Sequence, residues 1–453
     1  MLSIRRLPGV EPALRRWPKF GWRLRQARKL TLRWRIRRAR LKARAIGCIL
    51  PPGRLDPSEN SPATDQLFFL KKAKILGPIF KLIRHGGYMT CLVGHASAVE
   101  FLRAHEEALD GNAVDLRGLF PKGHIRAMKG EDHRRYRRLF VQALQATPLA
   151  FHEDAIRQWI FDKLSTLAND TATAVSGSQL RLCLREITTG IMLRVLFGLT
   201  QSDSQFPVIV QNYRRFGPDA PTGWISPDQA EAFFEIQSQV QHLADAIRRN
   251  PHDQLPSFLK FMVEQDELDE TALGNLIYAL EGSHFDLYSL WRWIVKHVVS
   301  NPDWIRKVRN TPSPARTPLC EASVMETLRL ESSEYLSRST NSDISFRHYF
   351  IPKSTHVRVC VWEAHKNPRV FPDPFTFNPE RFLSHTYPLE EYAPFGLDNR
   401  HCIASNFVVT LSAIFIDILL ERFVITLASD GAPKFGAWHW EPNPDFSIGV
   451  SRV

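Results

Sequence analysis

The stretch PFGLDNRHCIA at residues 394–404 decides how the rest of this 453-residue chain is interpreted. Cys402 stands directly before an apolar run that predicts a helix. A cysteine at that place lies among unpaired backbone N–H groups and the positive end of the helix dipole, which favour the thiolate. Gly396 permits a tight turn, and Arg400 can pair with an anionic group. The loop therefore indicates that Cys402 is a metal ligand, with a buried structural cysteine as the alternative.

The other cysteines do not offer a competing metal site. No two of the six cysteines form a CxxC pair or show zinc-finger spacing, so the expectation for them is reduced thiols in a reducing compartment. The six cysteines are Cys48, Cys91, Cys183, Cys320, Cys360 and Cys402.

The cysteine loop resembles the signature of the cytochrome P450 family, Phe-Gly-x-Gly-x-Arg-x-Cys-x-Gly. Phe395, Gly396, Arg400 and Cys402 match it, whereas Asp398 and Ala404 replace its second and third glycines. The resemblance implies that Cys402 is the axial thiolate of a haem iron, a ligand that promotes O–O cleavage. It covers residues 66–453 and implies a mainly α fold with small β-sheets, a triangular helical prism that binds haem b (iron protoporphyrin IX).

Two further motifs occur in the order that the family shows. Glu326 and Arg329 lie three apart on a predicted helix, and Arg381 follows within a Pro-Glu-Arg-Phe segment. By resemblance these three residues form a buried triad that fixes the segment presenting the cysteine loop. From the spacing alone, an ordinary surface ion pair would be the simpler interpretation.

A second set of residues is expected to bind the haem. His133 and Arg137 lie four apart on one helical face. In the family the corresponding pair reaches the haem propionates, and a solvated basic face is the alternative. The resemblance assigns cofactor contacts to His133, Arg137, Arg338, Phe395, Arg400 and His401.

The predicted central helix departs from the family pattern. The family usually has Ala/Gly-Gly-x-Asp/Glu-Thr there, and the acid and alcohol deliver protons during oxygen activation. This chain reads LEGSHFDLYS at residues 280–289. Alignment on Gly282 puts His284 at the acid and Phe285 at the threonine; counting back from Asn301 puts Phe285 at the acid and Asp286 at the threonine. His284 and Asp286 are therefore both catalytic candidates, unless they face away from the haem or the substrate supplies the proton.

Charge divides the chain into an arm and a body. Residues 1–45 carry a net charge of +15, and the remaining residues carry −3. We expect a basic arm at residues 1–46, a Pro-rich linker at 47–65 and the catalytic domain at 66–453. No run of about 18 apolar residues predicts a membrane-spanning helix. The arm is interpreted as a helix on an anionic membrane surface, an organelle transit peptide or a disordered segment.

Periodicity predicts the main elements of the body. Two short apolar runs around Gly86 and Gly87 indicate a hairpin, and residues 346–361 indicate a second β region. Helices are expected at Tyr136–Ala146, Gln179–Leu199, Gln229–Arg249, Ala272–Ser300 and Pro318–Leu330, with one more after Cys402.

The leading functional hypothesis is a cytoplasmic or peripherally membrane-bound monooxygenase acting on a small organic substrate. The chain holds no apparent flavin or iron–sulfur domain, so a separate ferredoxin or flavoprotein is expected to supply electrons. No nucleic-acid module accompanies the basic arm. The missing threonine leaves a peroxygenase, a haem-thiolate isomerase or coupling enzyme, and a non-enzymatic haem protein as alternatives, and organelle targeting as an alternative localisation.

The ligand assignment can be tested directly. We expect Cys402→Ser to abolish the thiolate-type absorbance band of the reduced, CO-treated protein, because a serine hydroxyl is a much weaker donor to iron than a thiolate. An unchanged spectrum would refute the assignment.

Overall fold

Helices alternate with short strands in the computed structural model, which describes residues 34–53, 62–84, 87–111, 115–168, 174–217, 225–331, 335–436 and 440–453. The helices are α1 (34–45), α2 (Phe68–Leu76), α3 (His95–Ala104), α4 (Gly130–Gln145), α5 (Leu149–Ser165), α6 (Gly177–Phe197), α7 (Phe206–Phe216), α8 (Pro227–Arg249), α9 (Phe258–Glu264), α10 (Glu270–Val299), α11 (Pro302–Asn310), α12 (Thr317–Glu331), α13 (Val361–Ala364), α14 (Arg381–Ser384) and α15 (Ser405–Arg422). The strands are β1 (Ile79–Arg84), β2 (Gly87–Val93), β3 (Leu109–Gly111), β4 (Val175–Ser176), β5 (Tyr335–Thr340), β6 (Ile344–Phe346), β7 (Tyr349–Ile351), β8 (His356–Cys360), β9 (Phe423–Ser429), β10 (Lys434–Phe435), β11 (Trp440–Glu441) and β12 (Ser447–Arg452).

The mainly helical prediction is confirmed, and local sequence explains where several helices begin and end. Ser176 and Gln179 form a capping box at the start of α6, and Ser226 and Gln229 form another at the start of α8. Gly198 ends α6 in the left-handed conformation that glycine adopts without strain. The predicted helices therefore match the observed ones to within a few residues, except that α4 begins six residues earlier than expected.

The chain divides into two compact units, the first made of residues 1–110 and 335–360. Its main sheet has the strand order β1-β2-β8-β5-β3. The predicted hairpin is the antiparallel pair β1–β2, and β8 runs parallel to β2. Arg358 of β8 lies buried between the rings of Phe69 and Tyr335, 4.0 and 3.9 Å from their centroids. This cation–π arrangement joins α2 to the sheet.

Part of the predicted arm is folded in this unit. Residues 34–45 form α1, whose Ala39 and Ala43 are buried against Phe350 of β7. Ile49, in the predicted linker, forms a parallel bridge with Tyr349. The expected boundary at residue 46 thus follows a helix that packs on the β6–β7 hairpin, and residues 1–33 lie outside the described part of the chain.

The second unit contains residues 111–334 and 361–453, and its core surrounds α10. Trp291 of α10 stacks on Phe415 of α15 with ring centroids 4.1 Å apart, and its indole N–H donates to Ser412 Oγ at 2.9 Å. Both ends of α10 are buried, as expected for a helix that crosses a core. Among the described residues, no helix is long and apolar enough to cross a membrane.

A buried histidine makes the fold sensitive to acid. His152 is fully buried, and Arg194 Nε donates to its Nδ1 at 3.2 Å. Burial, followed by the Arg194 charge, lowers the pKa of His152 from 6.5 to about 4. The folded state therefore binds fewer protons than the unfolded state between these values. This contribution to stability is present above pH 6.5 and is lost as the pH falls towards 4.

We expect His152→Gln to reduce the loss of unfolding free energy between about pH 7 and pH 5 by about 1–2 kcal/mol, because glutamine does not titrate. Denaturant unfolding of the apoprotein at both pH values measures the difference. His252→Gln, at an exposed position, is the matched control and should leave the pH dependence unchanged. Equal acid sensitivity of wild type and His152→Gln would contradict the assignment.

Candidate active site

A buried ion-pair network joins α12 to the chain that follows α13. Glu326 accepts two hydrogen bonds from the Arg329 guanidinium, at 2.7 and 2.8 Å. Arg381 Nε and the backbone N–H of Asn378 donate to the same carboxylate at 3.2 and 2.9 Å. The Glu326 and Arg329 side chains are completely buried. Loss of one partner would leave an uncompensated buried charge, which is strongly destabilising.

Arg329 also holds the backbone of the chain between α13 and α14. Its guanidinium donates to the carbonyls of His365 at 3.1 Å, Pro374 at 2.7 Å and Thr376 at 3.2 Å. Only the planar, five-donor guanidinium can serve a carboxylate and several carbonyls at once. The network therefore shapes residues 365–381, and lysine could not replace Arg329.

Two hydrogen bonds connect this segment to the cysteine loop. The Ala393 N–H donates to His365 Nε2 at 3.0 Å, and the Tyr392 hydroxyl donates to the Met325 carbonyl at 2.9 Å. Residues 392 and 393 directly precede the loop, so its entry point is fixed by the same helix and segment that hold the ion pairs. The His-Lys-Asn-Pro run that begins at His365 stands where the family order expects it, but the sequence assigned no role to His365 or to Tyr392.

The cysteine loop closes on itself through one hydrogen bond. The Cys402 N–H donates to the Phe395 carbonyl at 2.8 Å. Gly396 has a φ of 108°, and a Cβ there would lie 3.2 Å from the Cα of His401. Only glycine fits this turn. Cys402 lies three residues before the first residue of α15.

Asp398 replaces a family glycine without straining the loop. Its φ is not in the positive region, and its Oδ1 accepts a hydrogen bond from the Arg400 N–H at 2.9 Å. An Asp side chain that bonds the backbone two residues ahead stabilises a turn. The bend that glycine permits elsewhere in the family is thus closed here by a side-chain oxygen.

Charged groups from three segments act on the Cys402 thiol. Burial raises its pKa above the usual 9.0, the Ala404 N–H and the charges of Arg126 and Arg137 oppose this, and the Asp286 carboxylate adds to it. Charged groups of α4, of the turn around Arg126 and of the middle of α10 therefore lie close enough to act electrostatically on this sulfur. The isolated thiol is therefore protonated near neutral pH, and a metal would have to displace its proton.

Cations line the loop on its α4 side. Arg137 donates to the His401 carbonyl at 3.0 Å and lies 3.4 Å from both ring nitrogens of His401. Arg400 donates to the carbonyls of Arg126 and Met128, both at 2.7 Å. The structure thus brings Arg137, Arg400 and His401 together next to Cys402.

His133 completes this cluster and shows that it suits an anionic ligand. Burial, then the charges of Arg400 and Arg137, lower the pKa of His133 to about 4. Burial also lowers the pKa of Arg137, and Asp398 is the acid that acts on both residues. Cations that are desolvated and repel one another would gain from nearby carboxylates. The cluster therefore fits the two propionates of a haem, with His133 as a neutral hydrogen-bond donor.

One face of α10 is exposed in the middle of the helix. Gly282 and Asp286 are exposed although the residues of both helix ends are buried. A Cβ at Gly282 would meet no atom within 4 Å. The two residues lie four apart and share a helical face. Together with the Asp286 charge acting on Cys402, this open face fits a flat cofactor over the sulfur.

His284 lies on a buried face of α10, next to α6. It is 3% exposed, its Nδ1 lies 2.9 Å from the Leu280 carbonyl, and its own carbonyl accepts from Thr188 of α6 at 3.4 Å. The burial of His284 agrees with the register counted back from Asn301, in which Asp286 stands at the usual threonine, and the catalytic role of either residue stays a prediction. His284 is part of the α6–α10 packing.

Arg338, the other expected cofactor residue, belongs to β5 in the first unit. Its Nη1 donates to the Ser337 carbonyl at 2.9 Å, and its strand pairs with β8. Its haem contact stays a prediction.

Comparisons with known proteins agree with this arrangement. Residues 304–437, which include the ion-pair network and Cys402, match the family model described as Cytochrome P450. A putative cytochrome P450 138 of Mycobacterium tuberculosis is 21% identical over 83% of this chain and 91% of its own length. Abscisic acid 8'-hydroxylase 1 of Arabidopsis thaliana is 22% identical over 81% of this chain and 82% of its own. A cyanobacterial CYP120A1 structure with bound retinoic acid shares the fold with a TM-score of 0.71 at 20% identity, over 90% of this chain and all of that one.

The ion-pair network gives a stability prediction. We expect Arg381→Lys to lower the free energy of unfolding by about 3–5 kcal/mol and to reduce haem retention, because a lysine cannot serve both Glu326 and the Pro372 carbonyl. Denaturant unfolding and haem absorbance measure both effects. Arg369→Lys, an exposed arginine of the same segment, is the matched control. A wild-type unfolding midpoint for Arg381→Lys would show that the network is dispensable.

Proposed function

Because the chain belongs to the cytochrome P450 family of haem-thiolate monooxygenases, we propose that it inserts one atom of dioxygen into an apolar or mixed organic substrate, with Asp286 as the proton-delivering side chain. The observation that carries this proposal is the exposed Gly282–Asp286 face of α10, whose carboxylate acts on the Cys402 thiol. A side chain on that face would lie on the reacting side of a haem held through Cys402.

Each part of the site then has a chemical task. Cys402 would supply the anionic ligand, and His133, Arg137, Arg400 and His401 would hold the propionates. Bound haem would supply the binding and reductive activation of dioxygen. Gly282, whose Cβ position is open, would leave room for a flat cofactor.

Asp286 would differ from the usual threonine because its carboxyl group can hold a proton and later release it. A threonine hydroxyl only relays protons, whereas a carboxyl group can hold one at Oδ and later release it. A carboxyl group is a much stronger acid than any alcohol. Asp286 would therefore combine in one side chain the roles that an acid and a threonine share elsewhere in the family.

The same carboxylate favours a second candidate, a peroxygenase. A base placed over the oxygen-binding face can take a proton from hydrogen peroxide and return it to the departing oxygen. No external electrons are needed in that reaction. Product formation with peroxide alone, but not with NAD(P)H and a reductase, would select it over the monooxygenase.

The substrate pocket is proposed to be mixed in character. His124 and Tyr278 meet edge to face with centroids 4.7 Å apart, and the Arg126 charge acts on both side chains. Burial lowers the pKa of His124 to about 3, so that the ring is neutral. Aromatic surface beside a guanidinium would accept an apolar molecule that carries a polar group.

Electrons are proposed to come from a separate ferredoxin or flavoprotein. The exposed arginines of α4, at positions 134, 135 and 138, lie on the helix whose Arg137 touches the cysteine loop. Arg134 and Arg135 are paired with Glu131 and Glu267, so the attraction of an acidic donor to this side would rest mainly on Arg138. Cytoplasmic localisation stays a prediction.

The role of Asp286 can be separated from that of His284 by mutation. We expect Asp286→Asn to lower product formation with NAD(P)H and a reductase by about 10²-fold, because an amide cannot release a proton. The thiolate-type CO band should persist. Asp286→Thr should recover part of the activity by restoring the usual alcohol.

His284→Asn is the matched control, since His284 lies on a buried face of the same helix. We expect its turnover per folded haem protein to stay within about threefold of wild type. Wild-type turnover in Asp286→Asn, combined with loss of turnover in His284→Asn, would overturn the assignment.

A further inference from the structure

One face of helix α1 packs against the β6–β7 hairpin. Ala39 and Ala43 are 4% and 1% exposed where they meet Phe350. Lys42 Nζ lies 2.6 Å from Asp343 Oδ2, and Arg35 Nη2 donates to the Ser354 carbonyl at 3.3 Å. The helix orientation is therefore fixed within its own unit.

Beyond its last turn the chain remains tied to the same hairpin. The Cys48 N–H donates to the Ala43 carbonyl at 2.8 Å, and the Ile49 N–H donates to the His348 carbonyl at 3.0 Å. The Phe350 N–H in turn donates to the Ile49 carbonyl at 2.8 Å. The helix is thus held along its face and after its C-terminal end.

The opposite face of α1 presents an apolar stripe between cations. Trp34 and Leu41 lie seven residues apart, two turns along one side, and are 60% and 62% exposed. Arg37 and Arg44 repeat the same spacing beside them, and the Arg38 guanidinium lies 5.4 Å from the Trp34 ring centroid. Exposed Ile46 and Ile49 follow the helix.

The positive charge of the exposed face of α1 indicates an anionic partner. Residues 34–45 contain six arginines and lysines and no acid, and one of the six is paired with Asp343. Arginines beside an inserted tryptophan and leucine suit the headgroup layer of an anionic bilayer. A second copy would bring the same positive charge to the contact, and a nucleic acid would leave Trp34 and Leu41 without apolar partners.

We propose that α1, together with Ile46 and Ile49, is a docking surface for anionic phospholipid that is built into the folded chain and does not depend on residues 1–30. Trp34 and Leu41 enter the interface, and Arg37, Arg38, Arg40 and Arg44 lie at the phosphates. Because α1 is packed on the hairpin, binding orients the first unit on the bilayer instead of tethering it by a free arm.

The test is partitioning of the full chain onto vesicles of about 30% phosphatidylserine in phosphatidylcholine. We expect Trp34→Ala/Leu41→Ala to weaken binding at least about tenfold, because two apolar side chains no longer leave water. Arg37→Gln/Arg44→Gln should weaken binding to anionic vesicles and make it less salt-dependent. A chain without residues 1–30 should still bind, and should lose that binding with the Trp34/Leu41 change.

Phe151→Ala/Leu182→Ala is the matched control, since both side chains are 54% exposed in the second unit. Its binding should equal that of wild type. Unchanged unfolding midpoints would show that the α1 variants are folded, because the buried Ala39–Phe350 contact is untouched.

Three results would overturn the proposal. Wild-type binding by Trp34→Ala/Leu41→Ala would show that α1 is not at the interface. Loss of all binding on removal of residues 1–30 would assign it to that segment alone. Absence of vesicle binding, with self-association that the α1 change removes, would identify a second copy as the partner.

Discussion

The carboxylate of Glu326, buried between two arginines, is the interaction on which the rest of the site depends. A desolvated charge of this kind costs several kcal/mol unless every lone pair is satisfied. Here four N–H groups from Arg329, Arg381 and Asn378 satisfy it. The same arginines also donate to backbone carbonyls. They can neutralise Glu326 only if the backbone before Cys402 follows one particular course.

This course of the backbone places Cys402 among buried groups whose charges a bound cofactor could compensate. The thiol is buried and its pKa is raised, while desolvated His133 and Arg137 surround the loop with their pKa values lowered. Burial disfavours the charged forms that Cys402 and Arg137 would take beside a metalloporphyrin, and it keeps His133 neutral. A ligand that brings a Lewis-acidic ion to the sulfur and carboxylates to the cations would relieve all of these costs together.

The sequence predicted the helical fold and the residues of the ion-pair network because those features are local or follow a family spacing. It could not choose the register of α10, since without a threonine the choice depends on which face packs against α6. It predicted the tight turn at Gly396, but it could not predict that Asp398 closes the loop by a side-chain hydrogen bond. Nor could it predict the docking of α1, because Ala39 and Ala43 are small residues within a run of arginines and their burial depends on Phe350, more than 300 positions away.

A carboxylate at position 286 has an electrostatic consequence that a threonine would not have. Its negative charge opposes the thiolate of Cys402, and Arg126 and Arg137 act in the opposite direction on the same sulfur. An anion that acts on this sulfur must therefore be offset by positive charge nearby if the sulfur is to be ionised. Arg126 meets this need from the turn before α4, where its own carbonyl is held by Arg400. The Asp286 carboxylate and the Arg126 guanidinium thus act on one sulfur with opposite sign, and neither effect can be understood from its own segment of sequence.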